Sequence, residues 1–181
     1  MDICRGMQYL KNRNVIHGDL KSSNILLNGS MHEEKGFIAK VADFGTIKNT
    51  FAFFIVVLGL SRELSMFASH VSTQTTGTVT HMPPELFKEE RLTAASDVYS
   101  FGIVMWELVS KESPLEGVPP FLIIKKIVYD NWRPTFMEGI PDCYTALARR
   151  CWAEDSLQRP VIDEVLAELE QMRQQFMQPP L

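Results

Sequence analysis

His17-Gly18-Asp19-Leu20-Lys21-Ser22-Ser23-Asn24 places a carboxylate, a cation and a carboxamide within six residues, and Asp43-Phe44-Gly45 begins nineteen residues after Asn24. Moving a γ-phosphoryl group asks little covalent chemistry of a protein. It asks that charge be neutralised and the reacting atoms be held in line. Magnesium takes a few hard oxygen ligands and keeps water and phosphate oxygens for the rest. Asn24 and Asp43 can supply such oxygens. Asp19 can orient an attacking hydroxyl and accept its proton, and Lys21 can set positive charge where the transition state is most negative.

Each residue also has a plainer reading. Asp19 and Asp43 on loops could equally be turn or capping residues. The presence of Lys21 and Asn24 at fixed spacing tips the reading towards chemistry. Trp106, Trp132 and Trp152 read as core. The serines and threonines from 61 to 80 are either phosphorylation sites or a polar mobile loop.

Short elements must carry these loops. Ile3, Met7 and Leu10 at i, i+4 and i+7 predict a helix, broken at Asn12-Arg13-Asn14. Val15-Ile16, Ile25-Leu26-Leu27 and Ile38 to Val41 are apolar runs between polar turns and predict small strands. Asn28-Gly29 and the stretch 31–36 predict a hairpin-like connection. From Pro83 onward the spacing turns helical. A central helix is expected over Ala94 to Ser110, stopped by Ser113-Pro114. A second follows from Pro119-Pro120 to Val128. A third is expected from a cap at Asp142 to about Trp152, and a last one along Ile162, Val165, Leu166, Leu169, Met172 and Phe176.

With 181 residues, 45% apolar and 22% charged, the chain has the composition of a soluble globular domain. Its net charge of -4 and lack of a basic stripe argue against nucleic-acid binding. Three cysteines without C-x-x-C spacing argue against zinc and disulfides and for a reducing, cytoplasmic setting; Cys151 reads as a small buried hydrophobe. No basic start with an apolar run marks a signal peptide. The apolar run Phe51 to Leu60 is too short to span a membrane.

Taken together, these motifs resemble the C-terminal lobe of eukaryotic protein kinases, over nearly the whole chain. H-R-D-L-x-x-x-N appears as His17 to Asn24, with Gly18 for the arginine. Asp43-Phe44-Gly45 matches the metal-binding motif, and Pro83-Pro84-Glu85 stands for A-P-E. Ser96 to Gly102 resembles the central helix, and Cys151-Trp152 to Arg159-Pro160 the closing signature. Lys21, Gly77-Thr78 and the run from Asp97 to Ile103 resemble the tyrosine-kinase-like group of serine/threonine kinases.

The resemblance implies a mainly helical lobe with a few short strands, spanning 1–176 as a partial kinase domain with a tail at 177–181. It implies ATP and Mg2+ as cofactors and a Ser/Thr-bearing protein as substrate. Asp19 would be the base, Lys21 the phosphate-stabilising cation, Asn24 and Asp43 the metal ligands, and Leu26 the floor under adenine. Thr78 would shape the acceptor site, and His17 would pack on Phe44, next to Gly45. Glu85 would pair with Arg159, and Asp97 would hold the catalytic-loop backbone.

Three departures qualify this. Gly18 cannot contact a phosphorylated activation loop, so activity is expected to be independent of that switch; a large gain on phosphorylating 65–80, with Gly18→Arg adding nothing, would count against this. Upstream of His17 stand 16 residues with one lysine, Lys11, and one glycine, Gly6. The glycine-rich loop, strand lysine and hinge of the N-terminal lobe are therefore expected to be absent, ATP binding to be very weak, and this chain alone to show no useful turnover. Finally, 46–59 interrupts a junction that otherwise reads Asp-Phe-Gly-Leu-Ser. This is a retained intron or gene-model error, or else a real apolar insertion. A rival reading of the whole is a pseudokinase or docking module that uses its helical face.

Overall fold

Ile3, Cys4, Met7 and Leu10 share the buried side of the first helix, α1 (Asp2–Lys11), and anchor it to the core. Its start carries Asp2, favourable to the helix dipole, and Asn14 turns the chain away at φ 55°. The computed structural model describes residues 1–44 and 79–177. The insertion expected at 46–59 lies outside them.

Two strands follow, β1 (Ile25–Gly29) and β2 (Phe37–Val41), paired antiparallel from Ile25 opposite Val41 to Gly29 opposite Phe37. The connection closes with Ser30 N–H donating to the Gly36 carbonyl (2.9 Å), and Gly36 takes φ 75°, which favours glycine. Val15 and Ile16 do not form the strand their apolarity predicts. They are half-buried irregular chain leading into His17, apolar because they are partly covered rather than because they join a ladder. Helix α1 lies against β2, where a Cβ at Gly6 would stand 3.1 Å from Val41 Cγ2. Asp2 ties this contact by accepting the Ala39 N–H (3.0 Å).

Five helices complete the described chain: α2 (Pro84–Glu89), α3 (Ala94–Ser110), α4 (Pro120–Val128), α5 (Asp142–Cys151) and α6 (Ile162–Met177). Helix α3 is buried without interruption from Ser96 to Trp106, as a helix apolar around most of its circumference must be. Thr93 N–H donates to Ser96 Oγ at its start (3.0 Å). It ends at Ser110 through Lys111 in the left-handed conformation, three residues before Pro114. Helix α5 starts from Pro141, so Asp142 is its first residue rather than its cap.

The main core gathers α1, α3, α5 and α6 around Leu20, Val104, Leu147 and Val165. Trp152 stacks on Phe136 at 5.7 Å, and Trp106 donates to the Thr135 carbonyl (2.8 Å). A smaller cluster of Val79, Ile123 and Ile127 seats α4. The described fold is thus mostly helical with one two-stranded sheet. Among the described residues, no helix is long and apolar enough to cross a membrane.

Candidate active site

The site is built outward from Asp97, in the first turn of α3 and nearly buried. Its Oδ2 accepts the His17 N–H (2.8 Å) and its Oδ1 the Gly18 N–H (2.9 Å). Two successive backbone N–H groups on one carboxylate form a small anion nest. Gly18 at φ 79° makes that curvature inexpensive. Burial pushes the Asp97 carboxyl above its usual range, and the two backbone donors pull it back.

His17 is fully buried. Its Nδ1 accepts the Asp19 N–H (3.2 Å), which leaves Nε2–H to donate to the Ala42 carbonyl (2.9 Å). The ring therefore ties the loop to the chain leaving β2. Phe44, two residues on, is 57% exposed.

Past His17 the loop closes on itself. Asn24 Nδ2 donates to the Asp19 carbonyl (2.8 Å) and to Asp19 Oδ2 (3.2 Å). Lys21 Nζ lies 3.0 Å from the same Oδ2. The Asp19 and Lys21 side chains are only 19% and 17% exposed, so their charges are poorly screened by water. Asn24 is buried in a short 3-10 turn, Ser22–Asn24, that runs straight into β1. Its carbonyl accepts the Ala42 N–H (2.8 Å), so Asp43 leaves β2 directly beside Asn24. Asp43 adopts φ 57°, a left-handed conformation uncommon outside glycine.

This donor set fits magnesium. Asn24 spends its amide nitrogen on Asp19 and keeps Oδ1 as a hard oxygen, and Asp43 follows Ala42, whose N–H donates to the Asn24 carbonyl. Among the described residues no three His, Cys, Asp or Glu cluster to hold a metal by themselves. An ion here would draw its other ligands from water and phosphate. Leu26, second in β1, is 57% exposed. Gly45 and Thr78 lie outside the described residues.

A second network backs the loop. Arg159 grips Glu85 bidentately, NH1 to Oε1 at 2.7 Å and NH2 to Oε2 at 2.8 Å. The same guanidinium donates to the carbonyls of Ala153 (2.8 Å), Ala95 (3.0 Å) and Glu154 (3.2 Å), and stands over the Tyr99 ring at 5.0 Å. The pair is therefore well compensated for its burial.

Sequence reasoning missed one feature. His81 Nε2 approaches Glu107 Oε2 to 3.1 Å, an ion-pair distance without the angle of a hydrogen bond, while Ser100 Oγ donates to the His81 carbonyl (2.9 Å). Ser100 and Glu107 lie seven residues apart on one face of α3. They pin the segment before Pro83, which faces Gly18 and Asp19 across a cavity of about 10 Å³, room for about one water. The signal available was weak: a serine and a glutamate at helical spacing on an otherwise apolar helix.

A family model described as protein tyrosine and serine/threonine kinase matches residues 1–169. The chain is similar to the serine/threonine/tyrosine-protein kinase HT1 of Arabidopsis thaliana, 36% identical over 176 residues, covering 94% of this chain and 38% of that relative. It is 32% identical over 172 residues to the serine/threonine-protein kinase STY46 of the same organism, covering 95% of this chain and 26% of the relative. A mitogen-activated protein kinase kinase kinase of Drosophila melanogaster is 32% identical over 180 residues, 94% of this chain and 14% of the relative. The chain thus spans well under half the length of these relatives.

Proposed function

The chain belongs to the protein tyrosine and serine/threonine kinase family, and from that premise we propose that it carries the phosphoryl-transfer loops of an ATP-dependent kinase acting on Ser/Thr hydroxyls of proteins. Residues 1–176 form a partial kinase domain of the C-lobe type in this reading. The observation that carries it is the convergence of Lys21 and Asn24 on one oxygen of Asp19, within 3.0 and 3.2 Å, on a loop bonded to the strand end that presents Asp43.

In this reading the roles combine that geometry with the pattern of the family. Asp19 accepts the proton of the acceptor hydroxyl as its oxygen bonds to the γ-phosphorus and the bond to ADP breaks. Asn24 fixes the rotation of the Asp19 carboxylate. Lys21, seated against the same oxygen, faces the charge that gathers on the moving group. Asn24 and Asp43 would hold Mg2+, which when bound would neutralise phosphate charge. Leu26 would lie under the adenine, and Thr78 would shape the acceptor side. The preference for Ser/Thr rests on Lys21, two residues after Asp19.

The test is phosphate transfer from labelled ATP to a Ser/Thr peptide library by the 181-residue chain, expected to show no useful turnover alone, and by the same chain fused behind a nucleotide-binding kinase lobe, each with Asp19→Asn as control. In the fused form incorporation is expected to fall about 10²- to 10⁴-fold in the variant while its circular dichroism stays unchanged. Equal incorporation by an active fusion and its Asp19→Asn variant would refute the assignment of Asp19.

A further inference from the structure

Asn28-Gly29 is a strong turn signal, yet the fold does not use it as a turn. Both residues lie in β1, which ends at Gly29, and the chain reverses only after them. Asparagine and glycine are among the residues that strands favour least. The backbone does not require glycine here, since Gly29 is not among the glycines with positive φ. Packing does not require it either: a Cβ built on Gly29 would meet no atom within 4 Å. Asn28 itself is exposed.

The ladder leaves the Gly29 nitrogen outside the pairing. In an antiparallel pair, opposed residues that exchange hydrogen bonds alternate with opposed residues that do not. Ala42 N–H donates to the Asn24 carbonyl (2.8 Å) at one end, and Ser30 N–H to the Gly36 carbonyl (2.9 Å) at the other. The bonded pairs between them are therefore Leu26 with Lys40 and Asn28 with Ile38, while Gly29 opposite Phe37 is a non-bonded pair. The same phase is visible at Ala39, whose N–H points away from β1 and donates to Asp2 (3.0 Å). Gly29 N–H thus faces out from the edge of a two-stranded sheet, next in sequence to an exposed carboxamide and with no side chain to shield it. Of the six asparagines in the chain, Asn28 alone precedes a glycine.

We propose that Asn28-Gly29 is a site of non-enzymatic deamidation. A base removes the Gly29 amide proton, and the nitrogen bonds to Asn28 Cγ. The Cγ–Nδ2 bond breaks, Nδ2 takes a proton, and ammonia leaves. Water then opens the five-membered succinimide at either carbonyl, to aspartate or to isoaspartate. The sum is one water consumed and one ammonia released, with no oxidant or reductant. Ring closure turns the Asn28 carbonyl out of its bond to Ile38, so the reaction waits on opening of the strand end.

In the experiment the native 181-residue chain is held at mildly alkaline pH in water enriched in 18O, sampled over days and digested with trypsin. The peptide from Ser22 to Lys35 is then sequenced by mass spectrometry. Asn28 is expected to take up one solvent oxygen and to yield both aspartate and isoaspartate before Asn24 in the same peptide changes. Gly29→Ala, which the open space around Gly29 admits, is expected to slow the change about tenfold or more, because a Cβ hinders the nitrogen and restricts the backbone angles the ring needs. Asn28→Gln should abolish it. The time course on the native chain stands by itself should either variant disturb the hairpin. No change at Asn28 while a free peptide of the same sequence converts, aspartate without isoaspartate, or an unchanged rate in a folded Gly29→Ala chain would each overturn the proposal.

Discussion

Arg159 uses its guanidinium on two carboxylate oxygens and three carbonyls, and Glu85 adds the Ser96 hydroxyl (3.3 Å) to its own partners. Such a pair is worth little over an apolar substitute of the same shape, but removing one member strands the other in a dry site. Arg159→Met is therefore expected to destabilise the fold by about 3–5 kcal/mol, read as a lowered urea midpoint. Arg159→Met combined with Glu85→Leu should recover part of that loss; no recovery would mean that the cost is not the stranded charge. At this scale the sequence was informative where chemistry fixes spacing. His17, Asp19, Lys21 and Asn24 sit on one loop, so their order along the chain is nearly their order in space. The approach of His81 to Glu107 was illegible because it depends on which face of α3 meets a segment 26 positions earlier, and residue types alone do not encode that.

Between elements, one glycine sets the closest approach. A Cβ at Gly102 would lie 2.9 Å from Cys151 Cβ, 3.2 Å from the Ala148 carbonyl oxygen and 3.3 Å from the Trp152 nitrogen. Two of those neighbours are backbone of α5 or its cap and cannot rotate away. Gly102→Ala should cost about 1–3 kcal/mol despite the better helix propensity of alanine, measured by denaturant unfolding. A neutral or stabilising result would show that α3 and α5 slide apart freely. The seam between α1 and α6 makes a different prediction. Hydrogen bonds from Lys11 and then Gln8 hold the Asp163 carboxyl below the usual aspartate range. A depressed folded-state value means that the contribution is present above the ordinary carboxylate range and lost as pH falls through it. The urea midpoint should fall between about pH 5 and about pH 2, and fall less in Asp163→Asn. Equal slopes would remove Asp163 from the account; its 40% exposure keeps the expected difference small. Helix spans such as Ala94–Ser110 and Pro120–Val128 were legible because apolar spacing and proline mark them. Val15-Ile16 misled because a half-buried coil and a short strand have the same apolar signature, and only a ladder partner tells them apart.

For the molecule as a whole, the candidate site is strongly built on the side proposed for phosphate and open on the side proposed for the base. Asp19, Lys21 and Asn24 are held by side-chain and backbone hydrogen bonds that trace back to a buried helix. Leu26, the residue proposed to lie beneath adenine, is 57% exposed on a hairpin of two strands. A nucleotide resting there gains its charge contacts at one end while its base buries little apolar surface, and area removed from water is what rewards a planar ring. The order of these parts was readable in the sequence, but the openness of the Leu26 face is a property of what packs above a strand, which no local pattern in β1 states. The 181-residue chain is accordingly expected to bind MgATP with a Kd weaker than about 1 mM by titration calorimetry. Asp43→Asn should weaken it further, because the remaining affinity lies on the phosphate side. A Kd below about 10 µM would mean that the hairpin and catalytic loop alone enclose the base. The exposure of Leu26 would then be a poor measure of the site.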